Sequence, residues 1–223
     1  MTRRIAALTV LAFTGCGGGG GGGGEATPPV ETVLFLDDFD RMDGTLGEPW
    51  RPVFFGETVM PTARIESSRA FAMVRSAARS ADAFPATSLR VTCSFVFGAP
   101  GWAEVHVIAD DDESGDNGFW VAGLDGEASE GGTLLIAQVS TDEGTLGPDA
   151  GLLPGTTYSL DVFFDGGSIT LTILDASGQT LAHHSQVVPG FQPRYFGFAI
   201  GNDRSGSFTA LDNFRVLERK RGT

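Results

Sequence analysis

From residue 33 onward the chain is dominated by a two-residue alternation of apolar and polar side chains. Leu89, Val91, Cys93, Phe95 and Phe97 alternate with Arg90, Thr92 and Ser94. Tyr158, Leu160, Val162 and Phe164 likewise share one face, with Ser159 and Asp161 on the other. A period of two sends successive side chains to opposite faces of a strand, so each run predicts a strand half buried against a core. The same pattern predicts strands over 103–109, 119–124, 133–140, 169–173, 179–188, 194–201 and 207–217. A short strand is expected within 50–55, and two short strands around a turn within 63–79. Gly98-Ala99-Pro100-Gly101, Asp165-Gly166-Gly167 and Asp175-Ala176-Ser177-Gly178 supply turns. Residues 144–154 are expected to form a loop. About a dozen short strands at roughly ten-residue spacing, with almost no helix, predict an all-β fold of two packed antiparallel sheets.

The alternation does not reach the N-terminus. Met1-Thr2-Arg3-Arg4 is a short basic segment and residues 5–13 are apolar, too few to span a bilayer as a helix. Phe13-Thr14-Gly15-Cys16 follows and resembles the lipobox of bacterial lipoproteins, with Phe13 in place of the usual Leu. The resemblance implies lipidation at Cys16 and, with Gly17 behind the cysteine, an outer-membrane lipoprotein facing the periplasm or the cell surface. Gly17 to Gly24 is an unbroken glycine run, a flexible leash stiffened at its end by Pro28-Pro29. The expected organisation is a signal peptide over 1–15, a lipidated Cys and Gly/Pro tether over 16–32, a β-sandwich over 33–217 and a basic tail over 218–223.

Composition narrows the partners. With 15 basic and 28 acidic residues the chain carries a formal charge of −13. A body of that sign repels phosphate backbones, so nucleic acid is excluded as a partner. Neutral ligands or divalent cations suit it better. Of the two cysteines, Cys16 is assigned to lipid, which leaves Cys93 as an unpaired core residue.

Asp37-Asp38-Phe39-Asp40-Arg41, then Gly44-Thr45-Leu46-Gly47 and Trp50, resembles the opening of concanavalin A-like lectin/glucanase jelly rolls, in particular their laminin G-like and 3-keto-disaccharide hydrolase-like branches. Leu153 to Val162 resembles the penultimate hairpin of these proteins. Phe196-Gly197-Phe198 through Leu211-Asp212-Asn213-Phe214-Arg215-Val216 resembles their last strand. The likeness covers 33–217 and implies a two-sheet antiparallel jelly-roll β-sandwich whose first and last strands lie side by side. It also implies a structural calcium at that seam, with Asp38 and Asp212 as the matching acids. Asp212 shares its parity with Phe214 and Val216 and is expected to point inward. The acidic loop offers a second calcium reading at Asp110, Asp112 and Asp116, although Val121 stands where a twelfth-position acid is required.

No catalytic residues are assigned. The glucanases of this fold place three carboxylates on one strand in a Glu-x-Asp-x-x-Glu run, and the chain has none. Asp161 is isolated, His183 and His184 point to opposite faces, and His106 stands alone, so the histidines are expected at the surface. Trp102, Trp120 and Tyr195 are the aromatic candidates for stacking on sugar rings. The expectation is therefore a lipid-anchored, non-catalytic binding or adhesion module for carbohydrate. The alternatives are a glycoside hydrolase or keto-disaccharide hydrolase-like enzyme, and a structural envelope protein.

Overall fold

The computed structural model describes residues 30–220 apart from 56–57, 73–74, 85, 97–101, 113–118, 128–130, 140, 142 and 203–208. The chain opens with β1 (Val30–Asp37), then five short strands: β2 (Gly44–Thr45), β3 (Trp50–Pro52), β4 (Phe54–Phe55), β5 (Thr58–Val59) and β6 (Arg64–Glu66). Next come β7 (Arg69–Ala72), β8 (Ser76–Ser80), β9 (Ser88–Val96), β10 (Trp102–Asp110), β11 (Trp120–Glu127) and β12 (Thr133–Gln138). The last six are β13 (Gly144–Asp149), β14 (Thr157–Asp165), β15 (Ser168–Leu174), β16 (Thr180–Val187), β17 (Tyr195–Asn202) and β18 (Thr209–Lys220).

These strands build the expected sandwich. One sheet runs β16-β15-β14-β9-β18-β7-β6-β2, with β1 also paired to β18; the other runs β13-β12-β11-β10-β17-β8-β3. The inward side chains of both sheets form one core. Leu89, Val91, Cys93 and Phe95 come from β9, Val105 and Val107 from β10, and Phe196, Phe198 and Ile200 from β17. Cys93 is fully enclosed, and burial pushes its thiol far above the usual range, so it is inert packing.

The seam between the chain ends also forms, with a different acid at its centre. β1 pairs antiparallel with β18 from Val30↔Lys220 to Asp37↔Phe214. Asp37, not Asp38, is the buried carboxylate there. It accepts hydrogen bonds from the Phe39 amide (2.8 Å), the Trp50 indole (2.6 Å) and both terminal nitrogens of Arg41 (2.6 and 3.0 Å). Phe39 takes a left-handed φ of 52°, which reverses the chain so that its ring stacks on Trp50 at 6.0 Å. Phe35, Phe198 and Phe214 close around the indole at 4.9–5.4 Å.

Three sequence expectations need correction here. Residues 144–149 form the edge strand β13. Gly144 and Gly147 hide the alternation because they give close approaches room: a Cβ at Gly144 would meet Ala137 Cβ at 2.7 Å, and one at Gly147 would meet His184 Cγ at 2.7 Å. At the C-terminus, β18 extends through the start of the expected basic tail, and the Arg219 guanidinium lies 5.1 Å from the centre of the Phe163 ring. Finally, Asp212 does not point inward. A bulge at Asn213 (φ 53°) shifts the register between Asp212 and Arg215, so Leu211 and Phe214 are both buried and the acid is displaced to the outer face.

Candidate functional site

The outward face of the second sheet carries the polar groups that core packing does not require. Along β10, Ala103, Val105, Val107 and Ala109 enter the core, while Glu104, His106, Ile108 and Asp110 project from the opposite face. The middle of that face is apolar: Ile108, Val121, Phe119, Ala77 and Ala199 cluster there, with Val53 and Met60 packed against them. At one end of it, strand pairing gathers a charged group. Glu104 lies directly opposite Asp125 on β11 and Gly201 on β17. Direct cross-strand partners have Cβ atoms about 5 Å apart, so the two carboxylates share one patch.

Glu104 is enclosed to 1 % exposure. Arg75, at the foot of β8, grips it from outside: Nε donates to both carboxylate oxygens (2.7 and 2.8 Å), and Nη2 lies 2.6 Å from Oε2. Burial lifts the Glu104 carboxyl above its ordinary pKa, and the guanidinium only partly opposes that lift. His106 sits two residues along the same face, with Nδ1 3.8 Å from Glu104 Oε2. Burial, aided by Arg75 and opposed by Asp125, lowers the His106 pKa to about 4, so the ring is neutral at physiological pH. Its Nε2 is buried with no hydrogen-bond partner among the described residues. Gly123 makes room for the ring, since a Cβ there would stand 2.8 Å from His106 Cδ2. A carboxyl whose proton is held more tightly than usual, a second carboxylate across the pair and a neutral imidazole form a set suited to general acid–base chemistry.

His106 is thus a core-like residue of the outward face rather than a surface histidine. Glu104 carries no sequence motif. Its signal was the strict parity of Glu104, His106 and Asp110 against the apolar partners of the same strand. Asp125 becomes visible only through the β10–β11 register.

The residues singled out from the sequence are dispersed, except that Asp38 lies close enough to Asp212 for its charge to help raise the Asp212 carboxyl, behind the larger effect of burial. Cys16 and Asp116 lie outside the described residues, as does the side chain of Trp102. Trp120 turns into the core and packs against Phe191, so it is no open platform for a sugar ring. Tyr195 is also buried, and the Arg79 guanidinium covers its ring at 4.8 Å. Asp110 belongs to the sheet: it lies 3.9 Å from Arg79 and accepts the Asp112 amide at 2.9 Å. Asp38 is exposed and accepts the Asp40 amide at 3.2 Å, while Asp212 accepts the Asn213 amide at 2.7 Å. Calcium takes six to eight oxygens. Among the described residues no three His, Cys, Asp or Glu side chains converge, and residues 113–118 of the acidic loop lie outside the described residues.

No family model and no curated protein matches the sequence. Solved structures match the fold. The catalytic domain of an endo-1,3-β-glucanase (laminarinase) from Thermotoga petrophila RKU-1 superposes with a TM-score of 0.59 at 10 % identity, over 86 % of this chain and 99 % of that one. SCLam, a non-specific endo-β-1,3(4)-glucanase of family GH16, gives 0.56 at 11 % identity over 88 % and 95 %. The GH43 protein BlXynB from Bacillus licheniformis gives 0.59 at 13 % identity over 82 % of this chain and 39 % of that one. The two glucanases are matched over nearly their whole length. That both are glucanases speaks against the expected non-catalytic binding module and for its hydrolase alternative, while the likeness itself shows the fold. At these identities the likeness concerns architecture, and the architecture is that of a concanavalin A-like jelly-roll sandwich.

Proposed function

We propose that the chain is a glycan hydrolase whose working carboxyl groups are Glu104 and Asp125. The observation that carries this reading is their direct pairing across β10 and β11 on the outward sheet face, beside a neutral imidazole whose Nε2 has no hydrogen-bond partner among the described residues. Glycosidic hydrolysis uses two carboxyl groups: one protonates the departing oxygen, and the other attacks the anomeric carbon or activates the water that does. Burial favours the protonated form of Glu104, which suits it to the acid role. Asp125 then supplies the second carboxylate. Arg75 holds Glu104 in place, and the neutral His106 offers an additional proton acceptor within the patch. In the net step the glycosidic C–O bond breaks, the leaving oxygen gains a proton, and the elements of water end on the two fragments.

The test is release of reducing ends from β-1,3-glucan, mixed-linkage β-1,3(4)-glucan, xylan and mucin O-glycans. Glu104→Gln and Asp125→Asn are each expected to lower kcat by about 10²–10⁴-fold with the fold retained. Activity unchanged in both variants, or no turnover of any of these polymers by the wild type, would overturn the assignment. We also propose that the domain is exported and anchored through Cys16. Labelled fatty acid should be incorporated by the wild type and lost in Cys16→Ser; label persisting in the variant would refute the anchor.

A further inference from the structure

A second polar groove lies away from the paired carboxyl groups, where the two sheets end beside the 188–191 turn. It has a volume of about 290 Å³, and its walls include Asp111, Trp120, Gln138, Glu143, Gln186 and Phe191. Trp120 is five residues along β11 from Asp125, about 17 Å of strand. Its side chain turns toward the core face, whereas Asp125 lies on the outward one. The groove is therefore separate from the Glu104 patch.

Its walls are fixed independently of any ligand. Gln138 and Glu143 are tied together by the Gln138 amide donating to the Glu143 carbonyl (2.8 Å), and the Glu143 amide donates to Thr141 Oγ1 (3.2 Å). The 188–191 turn is held by the Phe191 amide on the Val188 carbonyl (3.2 Å), and the Val188 amide anchors it to Gly167 (2.7 Å). Thr145 Oγ1 lies 2.8 Å from both Gln186 Oε1 and His184 Nε2; with the Nε2–H tautomer of His184 donating to it, the hydroxyl donates to Gln186 Oε1 and leaves the amide NH₂ as the donor. Gln138 is held less tightly, because the Thr141 hydroxyl is shared between Oε1 (3.4 Å) and the Gln138 carbonyl (3.5 Å). Half-buried Phe191 supplies the apolar wall, backed by Trp120 at 6.0 Å.

We infer that this groove is an accessory subsite for a neutral oligosaccharide. Oriented amide donors and carboxylate acceptors next to an aromatic ring match the alternating hydroxyl and C–H surfaces of a sugar. The lining named above holds two carboxylates and no Lys, Arg or His, and the chain is strongly acidic, so uronic, sulfated or phosphorylated glycans are repelled. A quaternary cation would require an open aromatic face, but Trp120 is 6 % exposed and tilted 50° to Phe191. The choice of a glycan ligand rests on the hydrolase reading; the location and the charge preference rest on the groove itself.

The experiment is calorimetric titration of the full chain in a Glu104→Gln background, which blocks turnover. The probes are β-1,3-linked glucan and β-1,4-linked xylan hexasaccharides, with a hexauronate and tetramethylammonium as comparators. At least one neutral hexasaccharide is expected to bind, with affinity lowered about tenfold or more by Gln138→Ala combined with Gln186→Ala, equivalent to two lost hydrogen bonds. Phe191→Ala should weaken it as well, and circular dichroism should show each variant folded. Neutral binding that is unaffected by these substitutions, tighter binding of the hexauronate or the cation, or no heat with any neutral probe would overturn the subsite. Failure of the hydrolase reading shows separately, as absent turnover in the wild type with groove binding intact.

Discussion

The seam gives the sharpest stability prediction, because adjacent acids of the same opening motif should behave in opposite ways. Asp37→Ala removes the acceptor of four hydrogen bonds and leaves two buried donors behind. These are the Trp50 indole N–H and the Phe39 amide, on residues 5 % and 0 % exposed. Each orphaned buried donor costs about 1–3 kcal/mol. Arg41 adds less, because its side chain is 35 % exposed and it still donates to the Leu46 carbonyl at 2.9 Å. The expected loss is about 3–5 kcal/mol, in the range for breaking a buried ion pair from one side. For a domain of this size that corresponds to a melting shift of about 6–20 °C. Asp38→Ala removes one exposed bond of 3.2 Å and should cost under about 0.5 kcal/mol. Guanidinium unfolding followed by both tryptophan fluorescence and circular dichroism measures the pair. A loss below about 1 kcal/mol for Asp37→Ala, or equal losses for the two variants, would refute the assignment of Asp37 as the seam acid.

Two further outcomes probe the candidate site. His106 has a folded pKa of about 4 against an ordinary 6.5, so the unfolded chain takes up a proton that the folded chain refuses between those values. Its contribution is complete above pH 6.5, falls as pH drops and levels off near pH 4, a total of about 3 kcal/mol. Glu104, raised by burial, acts in the opposite sense and loses stability as pH rises. The His106 effect is therefore read as the difference between wild type and His106→Gln; parallel stability curves from pH 7 to pH 4 would contradict a buried neutral ring. Gly123→Ala should disrupt the β10–β11 pair, because the added methyl would stand 2.0 Å from the Val105 carbonyl oxygen and 2.7 Å from His106 Cα. A loss of at least about 2 kcal/mol is expected by chemical denaturation, and a neutral result would mean that this close approach does not exist.

The sandwich was legible where side chains alternate without interruption. Leu89 to Phe95 and Tyr158 to Phe164 lie in β9 and β14 with the predicted faces inward. It was illegible where the backbone changes phase or where glycine replaces a side chain. One left-handed residue, Asn213, inverts the parity of everything N-terminal to it on β18, so counting back from Val216 put Asp212 on the wrong face. β13 has glycines where an alternating pattern would show side chains, because His184 and Ala137 occupy the space. Among acids, buried Asp37 ends β1 and exposed Asp38 follows it directly, and the turn at Phe39 brings Trp50 to the first of them. The site was harder still. Glu104 and Asp125 are 21 residues apart in sequence and become neighbours only through strand register.

The energetics of Glu104 bear on why such a group stands there. An apolar residue would complete the outward face, since Ile108 and Val121 already do so further along. Burying a carboxylate instead incurs a desolvation penalty, and one guanidinium bonded to it from the solvent side offsets that penalty incompletely, as the raised pKa records. His106 adds a second cost, a buried nitrogen without a hydrogen-bond partner among the described residues. Asp37 provides the contrast within the same molecule: there a carboxylate receives four donors and joins the chain ends. The first arrangement raises the proton affinity of an acid beside another carboxylate at the cost of stability, whereas the second holds the fold together. That difference is the physical ground for assigning chemistry to Glu104 and architecture to Asp37.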